Sequence, residues 1–145
     1  MVALTIRGLG FAGVLPFLLF VLGIWFLRDY LRTLSQQGFV IYSLAILCFL
    51  AGSLWGTAMQ RQGADKLLRL VVSNGIVIFA ALSVLTAQAV IAAGLLALGY
   101  LATLWYERSS GSRSGWYASL RLQLTLLVVA LHIAYIAGLI ARGTA

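Results

Sequence analysis

The sequence predicts an all-α fold: a polytopic integral membrane helical bundle of about five transmembrane helices. Three observations carry that expectation. Of the 145 residues, 63% are hydrophobic and only 9% charged, with a mean hydropathy of +1.05. A soluble domain averages about 45–50% apolar and about 25% charged residues, and a small one cannot hide a much larger apolar share. The apolar residues also fall into runs near the ~20 needed to cross ~30 Å of hydrocarbon. Finally, the Lys and Arg residues stand singly or in small groups beside those runs, as membrane orientation requires.

The elements form a single transmembrane domain over residues 1–145, with helices expected at about 8–27, 38–59, 67–85, 87–106 and 117–140. The first run is bracketed by Arg7 and Arg28. It exceeds the 7–15 apolar residues of a signal-peptide core and no A-x-A site follows, so it reads as a retained helix. The second ends at Met59. The third and fourth form one apolar stretch of about twice a single span, broken by Thr86-Ala87-Gln88. The segment "ERSSGSRSG" at Glu107–Gly115 reads as a solvated linker before the fifth. No internal repeat is present, so nothing supports an inverted-repeat transporter.

The formal net charge of +7 does not indicate nucleic-acid binding, because the basic residues form no patch or arm. Their distribution predicts orientation instead. One side of a five-helix topology holds Arg7, Arg61, Lys66, Arg69, Arg108, Arg113 and Arg121; the other holds Arg28, Arg32 and Arg142. The N-terminus is therefore expected on the cytoplasmic or matrix side of a bacterial or mitochondrial inner membrane, with the C-terminus opposite. Trp25 and Tyr30 mark one interface, and Trp105, Tyr106, Trp116 and Tyr117 the other.

Chemistry-bearing residues are scarce. Asp29, Asp65 and Glu107 are the acidic residues, all expected in loops. Without carboxylates inside a span, a carboxylate-based pump or a two-acid hydrolase is not expected. One His and one Cys, His132 and Cys48, cannot assemble a zinc site or a bis-histidine haem. No catalytic, cofactor or metal residues are therefore assigned, and an enzyme is not expected. The single cysteine excludes an internal disulfide, and Cys48 reads as a small residue within the second helix.

The fifth helix is the most informative. At ~100° per residue, Tyr117, Arg121, Thr125, His132 and Tyr135 fall within an arc of roughly 80°. The opposite side carries Ala130, Ala134, Ala137, Gly138 and Ala141. The polar stripe is expected to face the bundle interior, a lipid or quinone, or a partner. Arg121 can also snorkel. The small residues Ala130, Ala134 and Gly138 are expected to allow close helix packing, as are Gly52 and Gly56 in the second helix. Ser73 and Asn74 are expected to hydrogen-bond across helices, and Ala89, Ala93 and Ala97 to form another close seam.

Three segments carry a resemblance: "LGFAGVLPFLLF" at Leu9–Phe20, "GFVIYSLAILCFLAGSLWG" at Gly38–Gly56, and "WYASLRLQLTLLVV" at Trp116–Val129. Their order and spacing resemble the domain of unknown function 3429 family, small membrane proteins of the transmembrane protein 69 type. The most specific parts are Gly13 with Pro16-Phe17, Trp55-Gly56, and Trp116-Tyr117 with Arg121 and Thr125. The chain departs from the pattern at Leu54, where members often carry a basic or imidazole residue, and at Asn74, near a usual Pro. The resemblance implies a small multi-helix membrane protein and supplies no activity.

These observations lead to two expectations for function. The first is a non-catalytic accessory or assembly subunit that packs against other membrane protein subunits, in a respiratory or photosynthetic host. The alternative is a small lipid- or quinone-binding protein or carrier. Membrane lipids are expected partners in both.

Overall fold

The computed structural model describes residues 2–60, 62–85, 88–110 and 116–141. Six helices follow in order: α1 (Val2–Ala12), α2 (Leu15–Phe26), α3 (Asp29–Ala58), α4 (Gly63–Leu85), α5 (Ala89–Ser110) and α6 (Trp116–Ala141). No strand occurs among the described residues. α1 and α2 together make one bent span, Leu4–Phe26, so five helices are long and apolar enough to cross a membrane. Their most apolar windows have mean hydropathies from 1.8 to 2.4. This is an all-α integral membrane bundle.

The first span begins earlier than hydropathy predicts and is not one helix. Pro16 lies at the start of α2, where its missing N–H removes one rung of the helical ladder. The chain tightens there, with the Val14 amide bonding Phe11 at 3.0 Å in a single 3₁₀ step. The Tyr42 hydroxyl of α3 donates to the Gly13 carbonyl at 2.7 Å. A neighbouring helix thus satisfies a backbone group at the break, the condition for an irregular turn at membrane depth.

α3 begins at Asp29, nine residues before the expected Gly38. The polar stretch Asp29–Gln37 ends the apolar run without ending the helix. Asp29 adopts φ 55°, a left-handed geometry that Asp tolerates better than most residues. The corner it makes aims α3 back along α2. Arg32, expected in a loop, is buried in α3 and donates from Nε to the Ile24 carbonyl at 3.2 Å. It covers the C-terminal end of α2, where orphan carbonyls favour a cation. Gly38 permits the close α2–α3 approach, since a Cβ there would lie 2.6 Å from the Phe20 ring.

The long apolar stretch resolves into two helices. α4 ends at Leu85 and α5 begins at Ala89; Thr86 and Ala87 lie outside the described residues. Buried residues of α4 recur at Arg69, Ser73, Ile76, Ala80 and Ser83, the single stripe of a helix packed on one side. α5 runs past Tyr106 to Ser110, so part of the expected linker is helical. Residues 111–115 lie outside the described residues. The three acidic residues are helical too, with Asp29 and Asp65 in first turns and Glu107 near the end of α5. Arg69, also expected in a loop, is buried in α4 with its guanidinium 5.6 Å from the centre of the Tyr106 ring.

α3 packs against α2, α4 and α5, while α6 packs against α5 and α2 and is touched by α1. The core sits between α2, α3, α5 and α6, around Phe17, Phe39, Leu47, Leu96, Tyr100 and Tyr135. Large apolar side chains such as Phe49, Leu85, Trp105 and Ile140 point outward, as expected where lipid is the solvent.

Candidate functional site

α6 turns one face to the bundle. Thr125, Val128, His132, Tyr135 and Leu139 are all buried, at spacings of three and four residues that place them on one side of a helix. His132 and Tyr135 are fully buried. The His132 Nδ1 lies 2.8 Å from the Val128 carbonyl, and Nε2 lies 2.6 Å from Ser43 Oγ on α3. A carbonyl only accepts, so Nδ1 carries the hydrogen. In the neutral ring Nε2 is then the acceptor, and the Ser43 hydroxyl donates to it.

An aromatic shell closes around this bond. The Phe39, Tyr100 and Phe17 rings lie 4.7, 5.3 and 5.6 Å from the imidazole. Tyr135 stacks on Phe39 at 4.1 Å. The hydroxyls in this layer are engaged as well. Tyr100 donates to the Ser43 carbonyl and Tyr135 to the Gln36 carbonyl, each at 2.8 Å. The Phe39 contacts and the hydroxyl bonds tie α5 and α6 to α3, while Phe17 and Tyr100 pack α2 and α5 against α6.

A serine next to a histidine raises the question of a nucleophile. Such chemistry needs a base oriented by a third group, donors for an oxyanion and access for substrate. Here Nδ1 is held by the helix's own carbonyl, and both Ser43 and His132 have zero exposure. The bond joins two helices and offers no path to a reacting atom. No group of three or more His, Cys, Asp or Glu able to hold a metal occurs among the described residues.

Beside this core lies a cleft of about 370 Å³, within the size range of small-ligand sites. Ile6, Leu9, Val14, Ile46, Leu50 and Leu124 supply apolar wall, while Arg121 and Thr125 bring polar groups to it. Phe17 and Tyr100 separate it from His132, since both line the cleft and pack against the imidazole. Arg121 forms an ion pair through Nη2 with Oε1 of Glu107, across the α5–α6 corner.

The predicted polar stripe therefore divides. Arg121 and Thr125 reach the cleft, whereas His132 and Tyr135 belong to the packed core and do not line it. The Tyr117 side chain lies outside the described residues. The small-residue positions divide too. A Cβ on Gly138 would sit 2.8 Å from Ile24, and the Ala134 carbonyl accepts from Trp25 Nε1 at 3.1 Å, so these two residues meet α2. Ala130 is exposed, and Gly52 and Gly56 have nothing within 4 Å of a Cβ. Among the described residues, no helix packs on the Gly52–Gly56 spacing. Ser73 bonds across helices to the Ala51 carbonyl at 2.5 Å, but Asn74 is exposed and bonds within α4 to Leu70 at 3.0 Å.

Sequence reasoning missed Ser43 and the Glu107 pairing. The signal for Ser43 was present: Phe39, Ser43, Leu47, Ala51, Leu54 and Ala58 recur at helical spacing and are all buried, with serine as the polar member of an apolar stripe. Glu107 stands fourteen residues from Arg121 across a linker, and no periodicity connects them.

No curated protein and no solved structure matches the chain. A family model described as "Protein of unknown function (DUF3429)" matches residues 2–137. With nearly its whole length matched, and with the Gly13–Pro16 break, the Trp55-Gly56 pair and the Arg121–Thr125 face now placed in a helical membrane bundle, the chain belongs to the DUF3429 family.

Proposed function

We propose that this chain is a non-catalytic membrane protein that holds one amphiphile, its tail in the cleft and its polar end at Arg121. The carrying observation is the cleft itself, apolar over most of its wall with Arg121 and Thr125 as polar residues. A lipid acyl chain or the isoprenoid tail of a quinone matches such a wall, and a phosphate or carbonyl matches a guanidinium. Native mass spectrometry of the protein extracted from membranes tests this. A retained lipid or quinone is expected, with loss of at least half of it in Arg121→Ala and in Leu124→Trp, which fills the cleft. Ligand content unchanged in both folded variants refutes the reading.

A second reading, the accessory or assembly subunit, has its own support. Gly52 and Gly56 lie exposed on α3 with open space above them and Trp55 half exposed between them. Small residues at this spacing let a partner helix approach closely. Under this reading, affinity capture from native membranes yields a stoichiometric membrane partner that is lost in Gly52→Leu/Gly56→Leu. A capture identical for the wild type and the double variant counts against it. In both readings we place the protein in a bacterial or mitochondrial inner membrane with its N-terminus on the cytoplasmic or matrix side, from the distribution of Lys and Arg.

A further inference from the structure

We propose that the Arg121–Glu107 pair reads the headgroup of the bound amphiphile and selects a zwitterionic phospholipid whose cation is a primary ammonium. This inference rests on the cleft being a lipid site. Arg121 is part of the cleft wall, and Glu107 meets it from the last turns of α5. The contact joins one guanidinium nitrogen to one carboxylate oxygen. A guanidinium has five N–H donors and a carboxylate about four acceptor sites. Each group therefore keeps capacity for a second partner, which a bidentate pair would have used.

The depth of the pair is right for a headgroup. It bridges the end of α5 and the start of α6, within one helical turn of Trp105, a residue 70% exposed as an interfacial tryptophan should be. The two side chains are 14% and 25% exposed. They are therefore partly withdrawn from water, where charge pairing is stronger than in bulk solvent.

Charge complementarity then chooses among headgroups. A phosphate oxygen pairs with the guanidinium of Arg121, and a primary ammonium donates hydrogen bonds to the carboxylate of Glu107. A purely anionic headgroup meets a guanidinium already partly neutralised and a carboxylate that repels it. A quaternary ammonium carries the charge but has no N–H to donate. The zwitterion with a primary amine is the one headgroup of the three that satisfies both residues.

The test uses the full chain in nanodiscs containing phosphatidylethanolamine, phosphatidylglycerol and phosphatidylcholine in equal amounts with matched acyl chains. Native mass spectrometry reads the lipid retained. The wild type is expected to favour phosphatidylethanolamine by about threefold or more over each rival, a difference of about 0.7 kcal/mol. Glu107→Gln should reverse the order in favour of phosphatidylglycerol, and Arg121→Ala should abolish headgroup preference. A series on the unmodified protein guards against misfolded variants: adding one, two and three methyl groups to the ethanolamine nitrogen should lower retention stepwise. Lipid retained without headgroup preference, or an order unchanged by Glu107→Gln and by N-methylation, overturns this inference and leaves the cleft reading standing. A wild type that retains no lipid overturns this inference, and one that in addition carries no lipid or quinone from native membranes overturns the cleft reading as well.

Discussion

At the residue scale, His132 on α6 meets α2, α3 and α5 at once. Its Nδ1 satisfies a carbonyl of its own helix, while Nε2 takes the hydroxyl hydrogen of Ser43 from α3. The two substitutions that break this bond should differ. Ser43→Ala leaves one imidazole acceptor unmatched, and hydrogen bonds between membrane helices average ~0.6 kcal/mol with a maximum near ~1.7. A loss of about 1 kcal/mol is expected. His132→Ala also deletes a ring packed among Phe17, Phe39 and Tyr100 and leaves a cavity, so a loss of about 3 kcal/mol is expected. Thermal unfolding in detergent should rank wild type, Ser43→Ala and His132→Ala in falling order of stability. Equal effects would mean that packing contributes little at this site.

At the scale of elements, the break between α1 and α2 is the most consequential local feature. Pro16 withholds an amide, and Tyr42 supplies a hydroxyl to the Gly13 carbonyl from the adjacent helix. Tyr42→Phe should destabilise the fold by about 1–2 kcal/mol, because a carbonyl in an apolar setting loses its partner. Hydrogen exchange should quicken first around Leu9–Leu18. Pro16→Ala returns the missing N–H and should recover part of the loss in the double variant; no recovery would detach Tyr42 from the break. The α2–α3 corner makes a separate prediction. Arg32→Met keeps most of the side-chain length but removes the Nε–H that donates to the Ile24 carbonyl. It should lower the unfolding temperature, while Arg28→Met, at an exposed position, should leave it within error.

At the scale of the whole molecule, five helices among the described residues are long and apolar enough to cross a membrane, and five crossings would put the two termini on opposite sides. The proposed orientation, with the N-terminal side cytoplasmic, rests on the distribution of basic residues. A reporter active only outside the cytoplasm should be inactive when fused after Gln60 and active when fused after Ala145. The reverse pattern would invert the proposed orientation, and equal activity at both sites would contradict an odd number of spans. The bundle also explains why its surface is so apolar. α4 buries one stripe and α3 leaves Ile41, Phe49 and Trp55 outward, a distribution that only a lipid solvent tolerates.

The sequence by itself determined the membrane class, the number of spans and the family. Hydropathy adds up along the chain, and bilayer thickness converts an apolar run into a span without knowledge of its neighbours. The same logic misplaced the start of α3, because polar Asp29–Gln37 ends an apolar run while the backbone goes on satisfying itself as helix. Only the tertiary structure decided which polar groups meet. Ser43 found His132, Tyr42 found Gly13, and Glu107 found Arg121 through the rotation and relative depth of packed helices. Those quantities arise from side chains on several helices at once, and no single stretch contains them. The polar stripe of α6 was legible as a stripe. Its division into a sealed His132–Tyr135 layer and an accessible Arg121–Thr125 cleft depended on where Phe17 and Tyr100 closed over the imidazole.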